Sequence, residues 1–90
     1  MDRVIDGITL VETCSSCPEQ YDAFDENKKQ VGYLRLRHGN FTVECPDVWG
    51  KCVYEKEVEG YGDFIDEEER EKELTIAVNK IKEWLNNQNK

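Results

Sequence analysis

Three observations predict an α+β domain: an antiparallel β-meander of four to five strands with one C-terminal amphipathic α-helix packed on one face. Residues 31–45 alternate apolar and polar side chains about the pair His38-Gly39, which is the pattern of two strands and a tight turn. Other short β-rich runs lie before and after it, each bounded by turn-forming residues. Residues 74–85 then repeat apolar side chains at three- and four-residue spacing, the stripe of a helix that lies on a sheet.

The hairpin has a testable register. A two-residue turn at His38-Gly39 sets Leu36 opposite Phe41 and Leu34 opposite Val43 on one side. Arg35 then faces Thr42, and Tyr33 faces Glu44, on the other. A slip of one residue would mix apolar and charged side chains on both faces.

The remaining elements follow in order. Residues 8–13 read as a short strand, leading into a Cys14-Ser15-Ser16-Cys17-Pro18 loop. Residues 20–24 are a second strand, and residues 25–29 a turn with Asn27 suited to positive φ. After the hairpin, residues 46–51 form a loop. Residues 52–58 form a fifth strand whose charges suit a sheet edge, and Gly60-Tyr61-Gly62-Asp63 is a loop. Asp66 is the expected N-cap of the helix, with Glu69 three residues on in a capping-box-like position. Glu67, Glu68 and Glu69 sit at the positive end of the helix dipole, worth about 0.3–1 kcal/mol each. Lys80, Lys82 and Lys90 lie toward the other end. Leu74, Ala77, Val78, Ile81, Trp84 and Leu85 make the apolar stripe. Residues 1–90 thus read as one domain, with sheet over 8–58, helix over 66–86 and a frayed tail over 87–90.

Composition narrows the function classes. Apolar residues make up 38% and charged residues 36% of the 90, so the core must be thin: one sheet face and one helix stripe. A net charge of -8 argues against binding nucleic acid, which needs a basic surface. It suits solubility, a basic partner, or competition with nucleic acid for a basic groove. Residues 55–73 carry ten acids against three bases, net -7, so the charge is concentrated at the fifth strand and the helix start. The N-terminus lacks the apolar run of a signal peptide and no stretch is long enough to span a membrane. A cytoplasmic protein is expected, where stable disulfides are disfavoured.

The four cysteines, Cys14, Cys17, Cys45 and Cys52, admit three readings: reduced thiols used as small apolar residues, disulfides within the two pairs, or a zinc site. The second pair is spaced more widely than zinc motifs are. In an up-and-down meander the Cys14 loop and the Cys45–Cys52 loop also lie at opposite ends of strands roughly 17–20 Å long. No cofactor is expected, with zinc on these four cysteines as the alternative. Cys45 falls on the apolar side with Phe41 and Val43, which favours packing.

No catalytic residue is assigned. His38, the single histidine, sits in a tight turn, no nucleophile has a visible base partner, and no phosphate-binding glycine loop is present. Acids on the helix are read as solvent-facing. The outer face of the hairpin is the stronger lead: Val31, Tyr33, Arg35 and Arg37 point away from Leu34 and Leu36. A two-residue turn at Asn27-Lys28 would add Phe24 opposite Val31, Asp22 opposite Tyr33 and Gln20 opposite Arg35. Tyr and Arg are the residue types that most often carry interface energy. The alternative is that the two arginines pair across strands with Glu44, Asp22 or Glu55.

Cys17-Pro18-Glu19-Gln20-Tyr21-Asp22, followed by Gly32-Tyr33-Leu34-Arg35-Leu36-Arg37-His38-Gly39 and Phe41-Thr42-Val43, resembles a group of short uncharacterised phage, prophage and mobile-element proteins. Their pattern is Cys-Pro-x-Gln-aromatic-acid and then aromatic-x-Arg-x-Arg-x-Gly. The likeness covers about a third of the chain and no activity attaches to it. It implies a mobile-element origin, and by analogy an inhibitor of a host nucleic-acid-handling defence protein, anti-CRISPR proteins included. The resulting expectation is a non-enzymatic protein-binding module, monomeric or homodimeric. Its candidate contacts are Gln20, Tyr33, Arg35 and Arg37 on the sheet and Glu67, Glu68, Glu69 and Glu71 on the helix. A zinc-stabilised structural module is the alternative.

Overall fold

The computed structural model describes residues 2–16 and 18–88. It shows six antiparallel strands and one helix: β1 (Asp2–Ile5), β2 (Ile8–Ser15), β3 (Glu19–Phe24), β4 (Gln30–Arg37), β5 (Asn40–Cys45), β6 (Lys51–Glu57) and α1 (Glu67–Gln88). The strands pair in chain order as a single meander, and α1 covers one face. The strand count is six rather than four to five because residues 2–5 also pair, with Ile5 opposite Ile8. The turn that permits this is Asp6-Gly7, both at positive φ, the backbone that a two-residue hairpin favours.

The central hairpin has the register its side chains dictate. Leu36 pairs with Phe41, Leu34 with Val43, Arg35 with Thr42 and Tyr33 with Glu44, about a turn in which His38 and Gly39 both take positive φ. Leu34, Leu36, Phe41 and Val43 are all buried beneath the helix, together with Cys45.

The preceding turn differs from expectation. It occupies residues 25–29, as the sequence outlines, but without a two-residue tip at Asn27-Lys28, and Lys28, not Asn27, takes the positive φ of 66°. The Asp25 carboxylate organises it by accepting the backbone N–H groups of Asn27 and Lys29. The longer turn puts Phe24 opposite Gln30 and introduces a bulge. Val31, expected on the outer face, is therefore turned into the core and is 1% exposed. Asp22 opposite Tyr33 and Gln20 opposite Arg35 keep the expected pairing.

The helix starts where its capping residues place it. Asp66 Oδ1 accepts the Glu69 N–H at 2.8 Å, and Glu69 accepts the N–H of Ile65 at 2.9 Å. Its apolar stripe is buried at Leu74, Ala77, Val78 and Ile81 and partly buried at Trp84 and Leu85. Helical structure extends to Gln88, past the end expected at residue 86. Helix and sheet pack tightly at Gly32, where a Cβ would lie 2.7 Å from Ile81 Cδ1. Among the described residues no helix is long and apolar enough to cross a membrane.

Two acids are part of this core. Glu19 is 1% exposed and Glu73 2% exposed, the latter against the expectation that helix acids face solvent. Both are fully partnered, which is what makes burial of a carboxylate tolerable. Glu73 accepts from Tyr54 Oη and Lys56 Nζ, each at 3.0 Å. Glu19 accepts from Arg70, from the Tyr21 hydroxyl and from the Phe64 N–H.

Candidate protein-binding face

The sheet face opposite the helix is built in cross-strand rows. One row runs Val11, Asp22, Tyr33, Glu44 and Cys52, and the next runs Cys14, Gln20, Arg35, Thr42 and Glu55. Arg37, Asn40 and Glu57 follow. Strand periodicity alone sends these residues to the same side, and among the described residues no helix or strand packs over them. Gln20, Tyr33, Arg35 and Arg37, singled out in the sequence, are thus brought together. The Tyr33 hydroxyl donates to Gln20 Oε1. Burial raises the Tyr33 hydroxyl above its ordinary value. Burial likewise raises the Asp22 carboxyl, although a hydrogen bond from Gln30 pulls it back.

Arg35 and Arg37 are not neutralised. Among the described residues neither forms an ion pair. Arg3, by contrast, binds Glu67 and Glu71, and Arg70 binds Glu19 and Glu67. Register explains the difference. Arg35 lies between Gln20 and Thr42, and Arg37 lies opposite Asn40, all of them neutral. Glu55, the acid nearest in the row, accepts from Asn40 Nδ2 at 2.7 Å. Arg37 Nε instead donates to His38 Nε2 at 3.3 Å. The other ring nitrogen, His38 Nδ1, lies 2.8 Å from the Tyr61 hydroxyl. Backbone bonds Gly39 N–H to Tyr61 O and Val58 N–H to Gly39 O fix the turn against the 58–61 loop.

The candidate acids lie on the other side of the sheet, at the start of α1, and most have internal duties. Glu67 bridges Arg3 and Arg70, and the Arg70 hydrogen bond lowers its carboxyl below the ordinary range. Glu71 holds Arg3, and Glu69 caps the backbone at Glu59 and Ile65. Glu68 is exposed. It borders a groove between β6 and α1 whose other acids include Glu57, Glu59 and Asp66. Ile65, 59% exposed, lies in the same groove.

The three described cysteines do not converge. Cys14 lies on the outer face in the row of Thr42, whereas Cys45 is buried on the inner face three residues further along β5. Strand spacing puts the two roughly 17 Å apart. Cys52 is exposed on β6, and Cys17 lies outside the described residues. Burial raises the Cys45 thiol to about 11.

Sequence reasoning passed over Trp49. It is 92% exposed and holds a φ of 70° in the β5–β6 loop, an uncommon conformation for a bulky side chain. Asp47, in the same loop, contributes to raising the Asp22 carboxyl, which places this loop beside the outer face. A tryptophan in a Pro-Asp-x-x-Gly loop was the available signal. Compared with known proteins, the chain matches no family model, no curated protein and no solved structure.

Proposed function

We propose that this chain is a non-enzymatic, cytoplasmic protein-binding module of phage or mobile-element type that blocks a host nucleic-acid-handling protein, in the manner of an anti-CRISPR inhibitor. The observation that carries the reading is the contrast among the four arginines. Arg3 and Arg70 each hold two carboxylates and tie helix to sheet. Arg35 and Arg37 lie on the outer face beside Tyr33 and, among the described residues, have no anionic partner, which supports a contact role over a structural one. Tyr, Trp and Arg are the residues that dominate binding energy when an interface closes over them. The acidic groove at Glu57, Glu59 and Glu68 supports the class of partner, because acids in that number favour a basic surface and repel nucleic acid.

The test is complex formation and inhibition with a panel of purified host nucleases, CRISPR effectors included, at rising salt. Complex formation with one of them is expected to weaken with salt. It should also weaken in the Arg35→Ala/Arg37→Ala and Glu57→Lys/Glu68→Lys variants. Failure to bind any of them, or binding indifferent to salt and to all four substitutions, would sink the reading.

A further inference from the structure

We propose that Arg35 and Arg37, with Asn40, Thr42 and His38 around them, form a receptor for a phosphomonoester dianion. This rests on the outer face being the contact surface and names the chemistry it takes. The five residues line a shallow depression of ≈ 460 Å³. Its lining contains two guanidinium groups and no carboxylate.

The donors are arranged for an anion of more than one charge. Arg35 makes no side-chain hydrogen bond among the described residues, so its whole fork is available. Arg37 spends Nε on His38 Nε2, which orients the guanidinium and leaves both terminal nitrogens free. His38 is thus a positioning residue, itself held by Tyr61. Asn40 spends one amide proton on Glu55 and keeps the other. Two fixed positive charges match the charge of about -1.5 to -2 and the three acceptor oxygens of a phosphomonoester. A carboxylate offers one charge and two oxygens, and leaves one guanidinium unpaired.

A compact group also fits better than a phosphodiester chain. Glu44, Glu55 and Glu57 flank the arginines on β5 and β6, and the protein carries a net charge of -8. An extended polyanion would have to run over these acids, whereas a single phosphate touches only the depression. A phosphorylated protein side chain and a free phosphate share this chemistry.

Titration of the full chain, followed by NMR of the arginine Nε–H and backbone amide signals, tests the proposal. The probes are a phosphoserine peptide, its serine and glutamate counterparts, and inorganic phosphate. The phosphopeptide should saturate signals of Arg35, Arg37 and Thr42 at least about tenfold more tightly than the glutamate peptide. Arg35→Ala and Arg37→Ala should each weaken it by about tenfold, and Arg35→Lys should not restore it, because lysine lacks the fork. His38→Ala should weaken binding less than either, without shifting the core amides. Phosphopeptide tighter than inorganic phosphate identifies a protein source, and equal binding a free phosphate; both support the receptor. No saturation, equal affinity for phosphoserine and glutamate peptides, or indifference to the arginine substitutions overturns it. If the nuclease complex forms and needs both arginines while the phosphopeptide fails, only the phosphate chemistry is lost.

Discussion

Arg70, in the first turns of α1, grips Glu19 of β3 through two parallel hydrogen bonds, Nε to Oε2 at 2.9 Å and Nη2 to Oε1 at 3.1 Å. The Glu19 side chain is fully buried, while that of Arg70 is 23% exposed. Tyr21 and the Phe64 N–H complete the shell. This pair fixes where the helix begins relative to the sheet.

Removing one partner strands the other. Glu19→Gln is expected to cost about 3 kcal/mol, since breaking a buried pair leaves an uncompensated group. Urea denaturation followed by the tryptophan signal measures it.

The same carboxyl sets an acid limit. Burial alone would raise Glu19, but hydrogen bonds from Arg70, Tyr21 and Phe64 hold it below its ordinary 4.5. A carboxyl held low contributes stability that is present above the unfolded value and is lost as pH falls through the folded one. Stability should therefore decline as pH drops below 4.5, and decline less steeply in Glu19→Gln. Thermal unfolding at several pH values from 6 to 3, taken as roughly spaced steps across the carboxylate range, reads the slope.

At the alkaline side Tyr54 acts in the opposite sense. Burial and the neighbouring Glu73 push its hydroxyl up to about 12. A raised group contributes stability that is full below its unfolded value of 10.0 and is lost as pH rises through 12. Tyr54→Phe should lose about 1 kcal/mol at neutral pH and show a shallower decline above pH 10, where tyrosine in the unfolded chain ionises.

Gly32 and Ile81 are coupled by contact. Gly32→Ala places a methyl 2.7 Å from Ile81 Cδ1, and overpacking of this kind costs about 1–3 kcal/mol. Ile81→Val removes Cδ1. The double variant should therefore be more stable than the sum of the single effects, which a double-mutant cycle detects.

Cysteine placement predicts unequal reactivity. Cys45 is buried with its thiol raised to about 11, so it should resist labelling in the native state while exposed Cys52 reacts. Because Cys14 and Cys45 lie roughly 17 Å apart, EDTA should leave the unfolding temperature unchanged. A drop on chelation, with zinc found by mass spectrometry, would refute this.

The arginine face should be separable from the fold. Arg35→Ala and Arg37→Ala are expected to change stability by less than about 0.5 kcal/mol, because neither side chain holds a carboxylate. Arg3→Ala, which releases Glu67 and Glu71, should cost more in the same denaturation experiment.

The α+β class, the hairpin register, the helix cap and the helix stripe were all legible in the chain, because period, turn chemistry and capping are local and act within a few residues. The grouping of Gln20, Tyr33, Arg35 and Arg37 was legible for the same reason. Val31 was not, since one bulge at the 25–29 turn changes the side it faces, and that turn is set by the Asp25 carboxylate rather than by Asn27. Tertiary structure alone decided which charges are paired. Glu73 reads as a solvent-facing helix acid and nothing local marks Glu19, until the helix brings Arg70 against Glu19 and the β6 edge brings Tyr54 and Lys56 against Glu73. For Arg35 and Arg37 the sequence left open both a contact face and ion pairs with Glu44, Asp22 or Glu55, and among the described residues neither arginine forms an ion pair. Pairing of a charge depends on what lies within about 4 Å of it, and in this protein those neighbours come from residues as much as 76 positions away.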